Sequence, residues 1–173
     1  MKPSSEKRPI LKLPPTTLDY TLEAIAILGI ISLCLLAVVS YSSLPDSIPT
    51  HFNLKGQADD WGNKASIFIL PGIGLLLFTG ITIISKFPHI FHYPVKVTVE
   101  NALHLYSKSV KIMRILKALI VVLFLLIEWQ VCKSAVNAEI PSLFLPAVLV
   151  IPVLLPIAMA LFLTKTFSSE KRK

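Results

Sequence analysis

Residues 22–41 read LEAIAILGIISLCLLAVVSY, where Glu23 is followed by eighteen residues without a charge. A bilayer core of about 30 Å requires roughly 20 apolar residues of helix, so this block alone limits what the chain can become. Three more blocks follow: SIFILPGIGLLLFTGITII at 66–84, ILKALIVVLFLLIEWQVC at 115–132 and LFLPAVLVIPVLLPIAMALFL at 143–163. Backbone amides in hydrocarbon must be satisfied within the segment, which makes each block a helix. With 54% hydrophobic and 16% charged residues, the chain is too apolar for an ordinary soluble domain of 173 residues. The expected fold is an all-α integral membrane protein with four transmembrane helices.

Charge gives the orientation. Fourteen of the Lys and Arg residues lie in the N-terminal tail, between the second and third blocks, just inside the third block (Lys117), or at the C-terminal end. Three, Lys55, Lys64 and Lys133, lie in or near the other connections. The positive-inside rule then puts both termini and the middle segment in the cytoplasm, and the 43–65 loop outside. The expected organisation is a tail at 1–21, a first helix pair at 22–84 with its outer loop, and a basic segment at 85–114. A second pair at 115–163 and a basic tail at 164–173 complete it. The polar, proline-bearing start and the long first block read as an uncleaved first span of a cytoplasmic (inner) membrane protein, not a signal peptide. The net charge of +7 fits cytoplasmic flanks against anionic lipid. No zinc-finger spacing or basic-aromatic repeat points to nucleic acid.

In the basic segment, Pro88 and Pro94 block a regular helix, and Thr98 with Glu100 marks a helix start. Ala102, Leu105, Tyr106, Val110 and Met113 then form one apolar face. Such a helix either lies along the inner headgroups or continues into the third span as one rod. Pro146, Pro152 and Pro156 predict kinks in the fourth span.

The outer stretch LPDSIPTHFNLKGQADDWGNK, at 44–64, is dense in turn residues. Asp60 or Asn63 is placed to cap the second span. Phe52 and Trp61 are expected at headgroup depth. One His, with Asp46, Asp59 and Asp60, lacks the paired spacing of a zinc site, so neither catalysis nor a metal or other cofactor is expected. Asp46, His51, Asn53, Asp60, Trp61 and Lys64 instead form a candidate recognition surface. His89 and His92 read as interfacial residues, and Cys34 and Cys132 as small buried hydrophobes. Glu128 is a carboxylate inside the third span, a functional candidate by position, expected either to reach the headgroups or to pair with a cation such as Lys64.

Leu44, Pro45, Ile48, Pro49, His51, Phe52, Asn53, Gly56, Asp60, Trp61, Lys64 and Pro71 match a pattern of the form LP-x-x-IP-x-HFN-x-x-G-x-x-D-x-W-x-x-K followed by a helix proline. Over roughly residues 25–84 the chain resembles the domain of unknown function 1648, found in bacterial membrane proteins and in the N-terminal half of the Sdp immunity protein family. The resemblance implies no agreed biochemical activity. In the longer Sdp proteins it implies protection against a secreted toxic peptide and recruitment of a repressor to the membrane. The expected function is therefore a non-enzymatic membrane protein that senses, or gives immunity to, an extracellular peptide. Its other expected partners are the lipid bilayer and a membrane protein. Two alternatives stand beside it: a small transporter or membrane enzyme built on Glu128, and a structural membrane subunit.

Overall fold

The computed structural model describes residues 8–53 and 57–136. Three helices and one hairpin organise them. Helix α1 spans Thr17–Tyr41, strands β1 and β2 span Ser47–Phe52 and Ala58–Asn63, and helices α2 and α3 span Ile69–Ile84 and Val99–Ala135. Short 3-10 turns at Lys64–Phe68 and Pro88–Ile90 lead into and out of α2. The chain is mostly helical, but the two strands correct the all-α expectation. The β2 sequence ADDWGN lacks the apolar alternation that marks a strand. Pairing with β1, whose Ile48 packs into the core, fixes its conformation.

Among the described residues, two helices are long and apolar enough to cross a membrane: α1, and the continuous Lys64–Ile84 segment containing α2. The third apolar block occupies the second half of α3. The fourth lies outside the described residues. Helix α1 begins five residues before its apolar block because Thr16 and Asp19 form a capping box. Asp19 Oδ2 accepts from the Thr16 amide at 2.7 Å, and the Thr16 hydroxyl accepts from the Asp19 amide at 3.3 Å. Helix α3 starts where expected, after Thr98, with Asn101 Oδ1 accepting from the Thr98 amide at 2.8 Å. The Thr98 side chain bonded to Glu100 holds that carboxyl below its usual range. The basic segment and the third block form one rod of 37 residues, about 55 Å at 1.5 Å per residue.

Pairs of contacts set the helix directions. Glu23 meets Lys117, and Gly29 meets Val121, so α1 and α3 run parallel. Thr82 meets Lys117, and Gly74 meets Phe124, so α2 runs against both. The hairpin lies at the end of the bundle where α1 stops and α2 starts. Its Ile48 and Phe52 pack with Ala37, Leu44, Ile67, Ile127, Val131, Cys132 and Ala135. A middle layer joins Ile30, Leu33, Val121, Phe78, Phe124 and Leu125. The closest approach is at Gly29, where an added Cβ would stand 2.7 Å from Val121 Cγ1.

At the opposite end the N-terminal segment folds back as a cap. Leu11 and Leu13 pack with Tyr93, Val95 and Val97 on Ala102, Leu105 and Tyr106 of α3, the apolar face expected there. Arg8 donates to the carbonyls of His89 and Phe91 at 3.1 and 2.6 Å and lies over the Tyr93 ring. Burial pushes the Tyr93 and Tyr106 phenols above their ordinary range.

Candidate functional site

The hairpin gathers the whole set of loop residues on one element. Ser47, Ile48 and Pro49 face Asn63, Gly62 and Trp61, and His51 and Phe52 face Asp60 and Ala58. The register slips around Thr50, a bulge that turns the tip of β1. The Lys64 amide donates to Asp46 O at 3.0 Å. From that pair outward, antiparallel alternation makes 48/62 hydrogen-bonded and 49/61 not. Pro49 therefore stands where the ladder needs no N–H from it. The Trp61 amide, also turned from the partner strand, donates to its neighbour's carboxylate, Asp60 Oδ1, at 2.9 Å. Gly62 is required by closeness: a Cβ there would meet Thr50 Cγ2 at 2.8 Å.

Ion pairs fasten and decorate this hairpin. Lys64 Nζ lies 2.9 Å from Asp46 Oδ1 and 5.4 Å from the centre of the Tyr41 ring, which itself packs on Phe68. The Lys64 hydrogen bond and charge hold the Asp46 carboxyl below the usual aspartate range. This pairing overturns the expectation that Lys64 meets Glu128. At the tip, His51 Nδ1 lies 2.5 Å from Asp59 Oδ1. A carboxylate only accepts, so Nδ1 carries the proton and a neutral ring keeps Nε2 as an acceptor. Asp60 Oδ2 also accepts from the Thr50 hydroxyl at 3.4 Å. Asn53 Oδ1 accepts from the Gln57 amide at 3.1 Å and closes the base of the turn. Of the two candidate caps for the second span, Asn63 serves, accepting from the Ala65 amide at 2.8 Å. The two aromatics divide their work: Phe52 packs inward on the bundle, while Trp61 is 48% exposed.

Glu128 does not reach the protein surface. It has no exposed surface, and neither carboxyl oxygen has a hydrogen-bond partner. Its helix turns it into the bundle, between the middle apolar layer and the layer under the hairpin.

One polar group escaped the sequence reading. Near the capped end, Lys117 is 2% exposed and its ammonium donates to Glu23 Oε1 at 2.5 Å and to the Thr82 hydroxyl at 2.9 Å. The Phe78 ring faces the same ammonium at 4.6 Å. One turn further, Arg114 lies 2.7 Å from Asp19 Oδ1. These contacts tie all three helices at one level. The available signal was the lone carboxylate at the start of the first apolar block and the lone lysine at the start of the third. Among the described residues, no three His, Cys, Asp or Glu side chains converge as metal ligands would.

Residues 27–75 match the family model described as Domain of unknown function (DUF1648). The match begins in α1, takes in the hairpin and ends midway through α2, so the expected resemblance holds over the element that carries the loop residues. An uncharacterized protein of Archaeoglobus fulgidus is 25% identical over 151 residues, covering 78% of this chain and 82% of its own length. No solved structure matches the chain.

Proposed function

We propose that the chain is a four-span protein of a bacterial cytoplasmic membrane, with both termini inside, whose hairpin recognises an extracellular peptide. The lysine and arginine distribution supports the orientation, because the Arg8 cap and the basic start of α3 lie at the end opposite the hairpin. The second half of α3 serves as the third span and residues 143–163 as the fourth. The observation that carries recognition is the exposed Trp61 indole, two residues along β2 from Asp59 of the His51–Asp59 pair, on a hairpin seated on the bundle by Ile48 and by Lys64 over the Tyr41 ring. A rigid aromatic with polar neighbours on a pre-formed element is the composition of a binding hot spot. Asp46 and Lys64 hold the element, Asn53 shapes its turn, and His51, Asp60 and Trp61 meet the partner. Immunity to a secreted toxic peptide is the role this recognition would serve, and it requires no enzymatic step.

The test is survival of cells producing His51→Ala, Asp60→Ala or Trp61→Ala when challenged with the toxic peptide of the same strain. Loss of resistance at unchanged protein level is the expected result. Full resistance in all three would refute the recognition role. A second reading, proton-coupled transport, draws on the unpartnered carboxyl of Glu128. Retention of transport by Glu128→Gln in proteoliposomes would count against it.

A further inference from the structure

Glu128 has no exposed surface, and neither carboxyl oxygen has a hydrogen-bond partner. Toward the capped end lies the middle apolar layer, with Ile30, Leu33 and Val121 at its centre. Toward the hairpin, Val131 and Cys132 belong to the layer that Ile48 and Phe52 close. From Ala24 to Tyr41, α1 carries no charged residue, and neither does α2 from Ile69 to Ile84. The other titratable side chains on these stretches and on the adjoining turn of α3 are Cys34, Tyr41 and Cys132. Among the described residues of the hairpin, the charges are taken up at its surface, Lys64 by Asp46 and His51 by Asp59, while Asp60 accepts from Thr50 and Trp61. Lys117 stands three turns away on the same helix, about 16 Å along its axis, and is bound to Glu23.

An ionised carboxylate without a partner is not sustained in such surroundings; a proton or a bound cation must neutralise it. A hard metal cation requires several further oxygen ligands, whereas the described layers on either side of Glu128 are apolar apart from the Cys132 thiol and the Ser40 hydroxyl bonded to it, and no second carboxylate converges there. A proton requires none. We propose that Glu128 is a proton-binding site closed by the hairpin, and that lifting the hairpin releases the proton to the outside. The carboxyl O–H bond then breaks, the proton passes to water, and a hydrated carboxylate remains. Recognition at the hairpin is thereby converted into a negative charge inside the bundle. The outward direction of release rests on the orientation argued above.

Infrared difference spectra of the full chain in proteoliposomes, wild type against Glu128→Gln, test the site. At neutral pH the wild type should show the carbonyl stretch of a protonated carboxylic acid, and the variant should lack it. Absence of that band in the wild type at neutral pH overturns the proposal. Phe52→Ala tests the closure, with Ile48→Val as a milder change should the first disturb the fold. Either should move the midpoint of the band toward acid, by about tenfold in proton concentration for Phe52→Ala, because water reaches the carboxyl. An unchanged midpoint in both variants, with helix content preserved, overturns the role of the hairpin. No peptide is added, so a failure here is separate from a failure of peptide recognition.

Discussion

Substituting Gly29 by alanine tests the helix packing most directly. Gly29 lies in the α1 face against α3, and its missing methyl would sit 2.7 Å from Val121 Cγ1, where ordinary contact begins at 3.4 Å. Val121 cannot swing aside. It is 1% exposed, and a β-branched side chain on a helix has one strongly preferred rotamer. The helices must part, and overpacking of this kind costs about 1–3 kcal/mol. Alanine returns about 1 kcal/mol of helix propensity. The net expectation for Gly29→Ala is therefore a loss of about 1 kcal/mol. Gly72 provides the control, because a Cβ there meets nothing within 4 Å. Gly72→Ala should collect the propensity gain alone, leaving the two variants separated by about 2 kcal/mol. The assay is loss of helical circular dichroism during denaturant titration of the purified protein in micelles. Adding Val121→Ala to Gly29→Ala should recover part of the loss, as contacting pairs couple by about 0.5–3 kcal/mol. Equal midpoints for Gly29→Ala and Gly72→Ala would refute the parallel packing of α1 on α3 at this register.

Other expectations follow from the ion pairs and the hairpin. Glu23→Gln strands the Lys117 ammonium between α1, α2 and α3. It should cost roughly 3 kcal/mol, the low end for a broken buried pair, because Glu23 is one-third exposed. Adding Lys117→Met should restore most of it in the same titration. The Asp46–Lys64 fastening depends on pH with a definite sign. The Asp46 carboxyl is depressed in the folded state, so its contribution is complete above the ordinary aspartate range and is lost as pH falls through the depressed value. Trp61 fluorescence should report a loosened hairpin in acid, and Asp46→Asn should show that loosened signal already at neutral pH. Gly62→Ala should splay the strands at Thr50, and should raise amide exchange at Lys64 while leaving the amides in the middle of α1 protected.

What the sequence revealed was what local chemistry decides. The apolar blocks gave α1, α2 and the second half of α3, and the Thr98 and Asn63 caps were readable one residue at a time. The turn residues of 44–64 indicated a folded loop but not its strands, because ADDWGN carries no pattern of its own. The early start of α1 was missed because its boundary was set by hydropathy, whereas Thr16 and Asp19 set it by capping. The Glu23–Lys117 pair, 94 residues apart, depends on the parallel register of two helices, which no single segment encodes. Glu128 was found as an oddity of composition. That it lacks even Lys64 as a partner follows from Asp46 claiming that lysine first.

The bond from the Trp61 amide to the Asp60 carboxylate has a consequence for neighbouring copies of the protein. Proteins confined to one bilayer hold their hairpins at the same height, so a bare strand margin would repeatedly meet its twin in the correct orientation to zip together. Here the donor that would start the zip is already engaged, and it is engaged by a negative charge that repels the same charge on the next copy. Under the peptide recognition proposed above, a visiting chain would meet the same barrier: it would gain less from laying its backbone along β2 than from side-chain contacts at Trp61 and His51, and the hairpin would discriminate by composition and not by extended shape.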